Sequence, residues 1–308
     1  MGTQLGDNRM EKRSKSLTVV IPAYNEAAAL PITLPAVLKY CKARHWKLIV
    51  VNDGSSDNSA EILAELEDQP RLKIIHHKVN RGYGGALKTG FMAVETDFAV
   101  SFDADGQHDL SDIDRLYNEV LGQDADMVVG SRTRSKHSYW YRELGKWIIR
   151  RVAAMMMPMP LRDLNSGFKL YRTSLLQQYI PLCPDSMAFS DVITLIFLNQ
   201  RCKVIELPIE VHPRGSGSSK ISTRTAFETI LEILNIVMLL APLRIFLPAS
   251  ILCFLVGVGW GIPFVISGRG ISVGSMLSIV TALILFTLGL VSEQLSHLRK
   301  EIYIKPRK

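Results

Sequence analysis

The stretch Leu17-Thr18-Val19-Val20-Ile21-Pro22-Ala23-Tyr24-Asn25-Glu26 decides the fold class. Five apolar or β-branched residues run into a proline, and polar residues follow at once. A strand without hydrophobic alternation has both faces covered, as parallel strands do when crossover helices lie on each side. Outward from this stretch the pattern repeats. Runs at Leu48 to Val51, Leu72 to Ile75, Phe98 to Phe102 and Met127 to Val129 alternate with Ala27 to Lys42, Ser59 to Glu67, Gly84 to Val94 and Ile113 to Leu121, whose apolar residues recur three and four apart. The expected architecture is an open, mostly parallel α/β sheet that takes its ligand at the C-terminal ends of the strands. Asn25, Glu26, Asp53, Asp103 and Asp105 all lie at such ends.

Past Gly130 the alternation stops. Trp140 to Met157 mixes aromatic and aliphatic residues with Arg142, Lys146, Arg150 and Arg151, and reads as an interfacial amphipathic helix, a plain core helix being the alternative. Phe227 to Leu240 repeats the theme. Ile245 to Ser267 and Ile271 to Ser292 are mostly apolar and each long enough, at about 20 residues, to cross a hydrocarbon core of about 30 Å as helices. Only Gly268, Arg269 and Gly270 separate them, which predicts a hairpin returning to its starting side; a buried helical pair of a soluble protein is the alternative. Arg299, Lys300, Lys305, Arg307 and Lys308 favour a cytoplasmic tail. Met1 to Ser16 is polar and basic with no apolar core behind it, so no cleavable signal is expected and the sheet domain should face the cytoplasm. The organisation expected is a polar tail (1–16), a cytoplasmic domain (17–225), an interfacial helix (226–242) and a hairpin with a basic tail (243–308).

Lys and Arg outnumber Asp and Glu by 36 to 29, and the basic residues gather on both sides of the most apolar region. That placement suits anionic lipid head groups and not nucleic acid. Cys41, Cys183, Cys202 and Cys253 are widely spaced, form no CxxC pair and are read as free thiols on the reducing side.

Strand four ends in Asp103-Ala104-Asp105-Gly106-Gln107. Two carboxylates one residue apart at a strand end suit a hard divalent cation with oxygen ligands, although ordinary acidic turns share the pattern. Such a cation offsets the charge developing on a departing nucleoside diphosphate. Asp53, ending strand two, is placed to accept hydrogen bonds from a base or ribose, and Tyr24 offers an apolar face. Ser56 and Asp57 read as helix N-caps. Asn80-Arg81-Gly82-Tyr83-Gly84-Gly85 does not follow the first strand and lacks the GxGxxG spacing, which excludes a dinucleotide-binding oxidoreductase.

Taken together, Val20-Ile21-Pro22-Ala23-Tyr24-Asn25-Glu26, Asn52-Asp53-Gly54-Ser55-Ser56-Asp57, Asp103-Ala104-Asp105 with Gln107, Gly130-Ser131-Arg132, Asp163-Leu164-Asn165-Ser166-Gly167-Phe168-Lys169 and Arg214-Gly215-Ser216-Gly217-Ser218-Ser219-Lys220 resemble the inverting family-two glycosyltransferases, and within them the dolichol- or polyprenyl-phosphate sugar synthases. The resemblance covers nearly the whole chain. It implies a glycosyltransferase-A-type domain, a UDP- or GDP-linked sugar donor, a polyprenyl phosphate acceptor (undecaprenyl or dolichyl) and, in members of this size, a homo-tetramer. By position, Pro22, Tyr24, Glu26 and Asp53 would hold the nucleoside, with Asp103, Ala104, Asp105, Arg214 and Lys220 completing the donor site. Asp103, Asp105 and Gln107 would hold Mg²⁺ or Mn²⁺. Arg132 and Ser166, with Lys146 and Arg150 as candidates, would meet the acceptor phosphate, and Asp163, Asp105 and Arg132 would form the catalytic set. Lys169 stands where many relatives carry Arg.

The chemistry agrees. Arginine is built for bidentate phosphate contact, and Gly217 to Ser219 form a loop able to close over a donor. Asp163 need not be a strict base, because a phosphate monoester has a second pKa of about 6 and presents an unprotonated oxygen at neutral pH. Its expected role is to take up any remaining proton and, more importantly, to orient basic neighbours or a sugar hydroxyl, an ordinary turn residue being the alternative. A processive polysaccharide synthase would carry Gln-x-x-Arg-Trp, and Gln200-Arg201-Cys202 lacks the Trp. The hairpin argues against a soluble acceptor. Intact Asp103, Asp105, Gln107, Arg132 and Lys220 argue against a lipid-binding scaffold built on an inactive transferase domain. No motif reads the sugar or the base.

Overall fold

The unbroken apolar and β-branched first run forms an interior strand of a sheet, as its lack of alternation requires. In the computed structural model, which describes residues 16–104, 106–132, 163–164, 166–210, 238 and 241–303, β1 (Leu17–Ala23) pairs in parallel with β2 (Lys47–Asn52) and β4 (Phe98–Ser101). β3 (Leu72–His76) extends the sheet beyond β2, and β5 (Met127–Arg132), β6 (Lys169–Arg172) and β7 (Val204–Ile209) complete the order β3-β2-β1-β4-β6-β5-β7. β6 alone is antiparallel to its neighbours, so the sheet is mixed but mostly parallel.

Successive residues of the central strands face opposite layers. Val19, Ile21, Leu48, Val50, Val100 and Val128 join α1 (Leu30–Ala43), α2 (Ser59–Ala64) and α4 (Leu110–Gly122) in one core. Val20, Ile49, Val51, Ala99, Met127 and Val129 join α3 (Tyr83–Met92), α5 (Thr173–Tyr179) and α6 (Phe189–Asn199) in the other. The result is three layers, helix on sheet on helix.

β6 sets the site. It starts at the same edge where β4 and β5 end and runs back between them, with Val129 opposite Lys169 and Val100 opposite Leu170. The residues just before it, Asp163, Leu164 and Ser166 to Phe168, therefore lie beside the C-terminal ends of β4 and β5.

Towards the C-terminus, α7 (Leu243–Ile266) and α8 (Val273–Tyr303) pack side by side. Both are long and apolar enough to cross a membrane. Their polarity is inverted relative to a soluble pair. Leu252, Leu255, Trp260 and Leu283 are more than 60% exposed, while Ser275 turns inward and donates to the Gly257 carbonyl at 2.6 Å, and Ser278 donates to the Cys253 carbonyl at 2.9 Å. Small residues and inter-helix hydroxyl bonds at the contact, with apolar side chains outside, are what a helical pair in lipid needs. Glu293 also accepts from the backbone N–H of Leu243 at 3.1 Å, satisfying one orphan donor at the start of α7.

Candidate active site

The loops after β1 and β2 are laced together. Asn25, at φ 54°, donates its backbone N–H to the Ser55 hydroxyl oxygen at 3.0 Å, and its Oδ1 accepts from Ser56 N at 2.8 Å. Asp57 accepts Ala27 N on one oxygen at 3.1 Å and Ser59 N on the other at 3.0 Å. The N-cap reading of Ser56 and Asp57 is thus corrected. Asn58 is the cap residue of α2, Ser56 binds the preceding loop, and Asp57 serves both the first turn of α2 and the loop after β1. The lacing fixes a shelf on which Tyr24 lies 47% exposed, with Pro22 and Glu26 half-buried.

Asp53 is buried, and its Oδ1 accepts from Arg81 N at 2.9 Å and lies 2.6 Å from His77 Nδ1. An ionised carboxylate only accepts, so Nδ1 carries the proton. In the neutral ring Nε2 then accepts from the Thr89 hydroxyl, 2.9 Å away.

Asp103 follows the end of β4, half-buried. The Tyr83 hydroxyl donates to its Oδ1 at 3.1 Å, and burial together with the Asp103 charge pushes the Tyr83 phenol well up, so it stays a donor. Ala104 is buried, its carbonyl accepting from the Thr33 hydroxyl at 2.9 Å, and Gln107 is half-buried. A hard divalent cation fits this end of β4. Asp103 offers carboxylate oxygen in a geometry already held by Tyr83, while among the described residues no group of three His, Cys, Asp or Glu is placed to hold a metal by itself. Such a cation would take its other ligands from substrate phosphates and water, as Mg²⁺ usually does.

Beside it, Arg132 ends β5 and meets Asp163 in a bidentate pair. Asp163 N donates in turn to Glu206 Oε1 of β7 at 2.9 Å. Burial pushes the Asp163 carboxyl up, but the hydrogen bonds and charge of Arg132 outweigh it and hold the group below the usual carboxylate range. The same pairing raises Arg132 further. Ser166 is 1% exposed, with its Oγ 3.3 Å from Phe168 N, so it shapes the turn, and a phosphate could reach it only by displacing that contact.

Lys169 is fully buried, and its ammonium donates to the carbonyls of Leu164 (2.7 Å) and Ser190 (2.6 Å) and to the Thr194 hydroxyl (2.8 Å). It ties the turn after Asp163 to α6 and contacts no solvent. Burial pushes its pKa down to about 8 against the opposing charges of Asp191 and Asp163. His77, Tyr83 and Ser190 were absent from the expected site, and Lys169 entered the sequence reading only as a departure from the family's Arg; the glycine-rich run around Tyr83 and the motif that ends at Lys169 were the signals in the sequence. Asp105, Asn165, Arg214, Lys220, Lys146 and Arg150 lie outside the described residues, as do the Trp140 to Met157 segment, the Phe227 to Leu240 segment apart from position 238, and the tail residues Lys305, Arg307 and Lys308.

The profile of glycosyl transferase family 2 matches residues 18–180, and that of the GtrB C-terminal hairpin matches 241–298. The chain belongs to glycosyl transferase family 2. It is 29% identical over 307 residues to an undecaprenyl-phosphate 4-deoxy-4-formamido-L-arabinose transferase of Photorhabdus laumondii, covering 95% of this chain and 92% of the relative. It is 30% identical to the protein of the same name from Pectobacterium carotovorum, covering 75% and 70% of the two chains. In fold it is similar to glucosyl-3-phosphoglycerate synthase from Mycobacterium tuberculosis, solved with Mn²⁺, uridine diphosphate and phosphoglyceric acid, at a TM-score of 0.56, 17% identity and coverage of 73% and 79%. The mixed sheet is therefore a glycosyltransferase-A-like domain, and the matched hairpin with its two apolar helices marks a membrane protein.

Proposed function

We propose that the chain moves a sugar from a UDP- or GDP-sugar to the phosphate of a polyprenyl phosphate, undecaprenyl or dolichyl, at the cytoplasmic face of a membrane, with inversion at the anomeric carbon. The observation that carries this reading is the Arg132–Asp163 pair at the end of β5, at the same sheet edge as Asp103, which lies against the Gly167 turn, in a chain whose terminal helices are apolar on the outside. Relatives named for undecaprenyl phosphate support the acceptor class.

In this reading Asp53, Tyr24, Pro22 and Glu26 hold the nucleoside, and Asp53 presents its second oxygen because Oδ1 is engaged by Arg81 N and His77. Asp103 and Gln107, with Asp105 of the same motif, would hold Mg²⁺ or Mn²⁺, which when bound supplies positive charge beside the leaving diphosphate, and Ala104 would line the donor site. Arg214 and Lys220 would add contacts to the donor phosphates, and Lys146 or Arg150 to the lipid phosphate. Arg132 holds the acceptor phosphate, and Asp163 uses the Nε–Nη2 edge of that guanidinium to fix its direction. One acceptor oxygen forms a bond to the anomeric carbon from the face opposite the diphosphate. The bond from that carbon to the diphosphate oxygen breaks, and its electron pair leaves with the nucleoside diphosphate. No proton has to be removed, because the acceptor's second pKa of about 6 leaves it dianionic at neutral pH. Alignment and charge stabilisation are what the protein contributes.

The test is to incubate the purified protein with undecaprenyl or dolichyl phosphate and a panel of UDP- and GDP-sugars, and to identify the glycolipid by mass and its anomeric configuration by NMR. A lipid-phosphate-linked sugar of inverted configuration is expected. Transfer only to soluble acceptors, or donor hydrolysis indifferent to lipid phosphate, would overturn the reading.

A further inference from the structure

The run Arg81-Gly82-Tyr83-Gly84-Gly85 looks like a phosphate cradle, but its glycines are spent on packing. Gly82 has φ +86°, and a Cβ there would stand 2.7 Å from the Asp185 carbonyl oxygen; one on Gly84 would stand 2.6 Å from the carbonyl oxygens of Pro184 and Ser186. Only glycine lets the start of α3 lie this close to the 184–186 chain. Gly85 N donates to Asp185 O at 3.0 Å and Lys88 Nζ to Asp185 Oδ1 at 2.7 Å, which lock the approach.

What the packing delivers is Tyr83. Its hydroxyl donates to Asp103 Oδ1 at 3.1 Å, and Gly167 closes the other side, since a Cβ on Gly167 would stand 2.8 Å from Tyr83 Oη and 3.0 Å from Asp103 Oδ2. The Asp103 carboxylate is thus held between a phenol and a backbone turn, and that turn is pinned by the Ser101 hydroxyl on the Gly167 carbonyl at 2.5 Å. We propose that Tyr83 is a positioning residue for the donor diphosphate site, its hydroxyl holding the Asp103 carboxylate in the orientation from which it binds the divalent cation. This rests on the reading of Asp103 as a cation ligand. Hydrogen-bond partners of ligating groups typically carry about 10- to 100-fold in metal affinity or activity.

The test is Mn²⁺ binding to the full-length protein in detergent, with UDP and separately with GDP, following free Mn²⁺ by electron paramagnetic resonance. Tyr83→Phe keeps the ring and loses only the hydroxyl. Its affinity for Mn²⁺ is expected to fall by about tenfold with its thermal midpoint little changed, and Asp103→Asn to lose more. Gly167→Ala, which leaves the Tyr83 hydroxyl in place but presses on it and on the Asp103 carboxylate together, is expected to weaken Mn²⁺ binding as well. Equal Mn²⁺ affinity in wild type and Tyr83→Phe, with Asp103→Asn impaired, overturns the role of Tyr83 and leaves Asp103 as a ligand. Wild type and Asp103→Asn binding alike, or neither binding Mn²⁺, removes the Asp103 reading and the proposal with it.

Discussion

The guanidinium of Arg132 and the carboxylate of Asp163 meet edge to edge, Nε 2.7 Å from Oδ2 and Nη2 2.9 Å from Oδ1, while the Arg132 backbone N–H donates to Oδ2 at 3.1 Å. A carboxylate held this way is a weak base and a firm bracket. Asp163→Asn is therefore expected to lower kcat by about 100-fold, the scale of a misplaced reacting group, and to the same extent from pH 6 to pH 9. Turnover at saturating donor and lipid phosphate across that range checks it; a defect that disappears above neutrality would identify a proton acceptor instead. Stability carries a matching signature. The folded pKa is depressed, so the stabilisation is present above the unfolded value of about 4 and is lost as pH falls through the folded pKa, a slope that Asp163→Asn should flatten.

Gly167 is where the two sides of the site touch. In Gly167→Ala the new methyl meets the Tyr83 hydroxyl and the Asp103 carboxylate together, and activity is expected to fall by about tenfold or more. Removing the Tyr83 hydroxyl relieves one of those contacts. The pair Gly167→Ala and Tyr83→Phe should therefore be non-additive, the double variant losing less than the product of the single losses. Independent effects, measured as kcat/KM for the donor in a double-mutant cycle, would show that the three groups do not act as a unit.

The five strands β1 to β5 were legible because each is a short apolar run, fully buried in β4 and mostly so in β1, β2 and β5, and Asp53 and Asp103 because strand ends are where such sheets take ligands. β6 and β7 were not. Lys169 opens β6, and a lysine reads as surface unless three acceptors from elsewhere in the chain are known to surround it. β7 contains Glu206 and Pro208, and a proline in a strand is tolerated where this one lies, at the sheet edge. The partnership of Arg132 with Asp163 spans 31 positions of sequence and becomes visible only when β6 turns back between β4 and β5. The loop motifs after β1 and β2 were recognisable as motifs, but their serines and Asp57 tie one loop to the other, a role that spacing alone does not display.

Lys169 gives a pH prediction of opposite sense to Asp163. Its pKa falls from about 10.5 unfolded to about 8 folded, so the unfolded chain binds more protons between those values and stability should rise with pH across that window. Lys169→Met removes that rise and takes the ammonium donor from the Leu164 carbonyl, at a cost of about 1–3 kcal/mol for a buried group left unsatisfied, while the Ser190 carbonyl keeps the Thr194 hydroxyl at 2.8 Å. The variant's thermal midpoint should lie below wild type at pH 7, and the gap should widen from pH 8 to pH 10. A constant gap would mean that the amine does not titrate in the fold.

The hairpin makes a prediction about sidedness. α7 has 24 residues, a length of about 36 Å at 1.5 Å per residue, enough to carry the chain through a hydrocarbon core of about 30 Å. The return is abrupt, since Gly268 at φ +70° and Gly270 at φ +77° turn the chain within the six residues between α7 and α8. Arg269 should then lie on the face opposite the start of α7 and the end of α8, and the sheet domain on the cytoplasmic face. The native thiols interfere little, because Cys41, Cys183 and Cys202 are buried and Cys253 lies within α7. In sealed vesicles with the cytoplasmic face outward, a membrane-impermeant maleimide is expected to label Lys39→Cys, on the exposed side of α1, at once. Arg269→Cys should label only after the vesicles are permeabilised. Prompt labelling of Arg269→Cys in intact vesicles would place the turn on the cytoplasmic side. It would then follow that the hairpin dips into one leaflet or packs outside the bilayer, and the outward-facing Leu252, Leu255, Trp260 and Leu283 would need another partner.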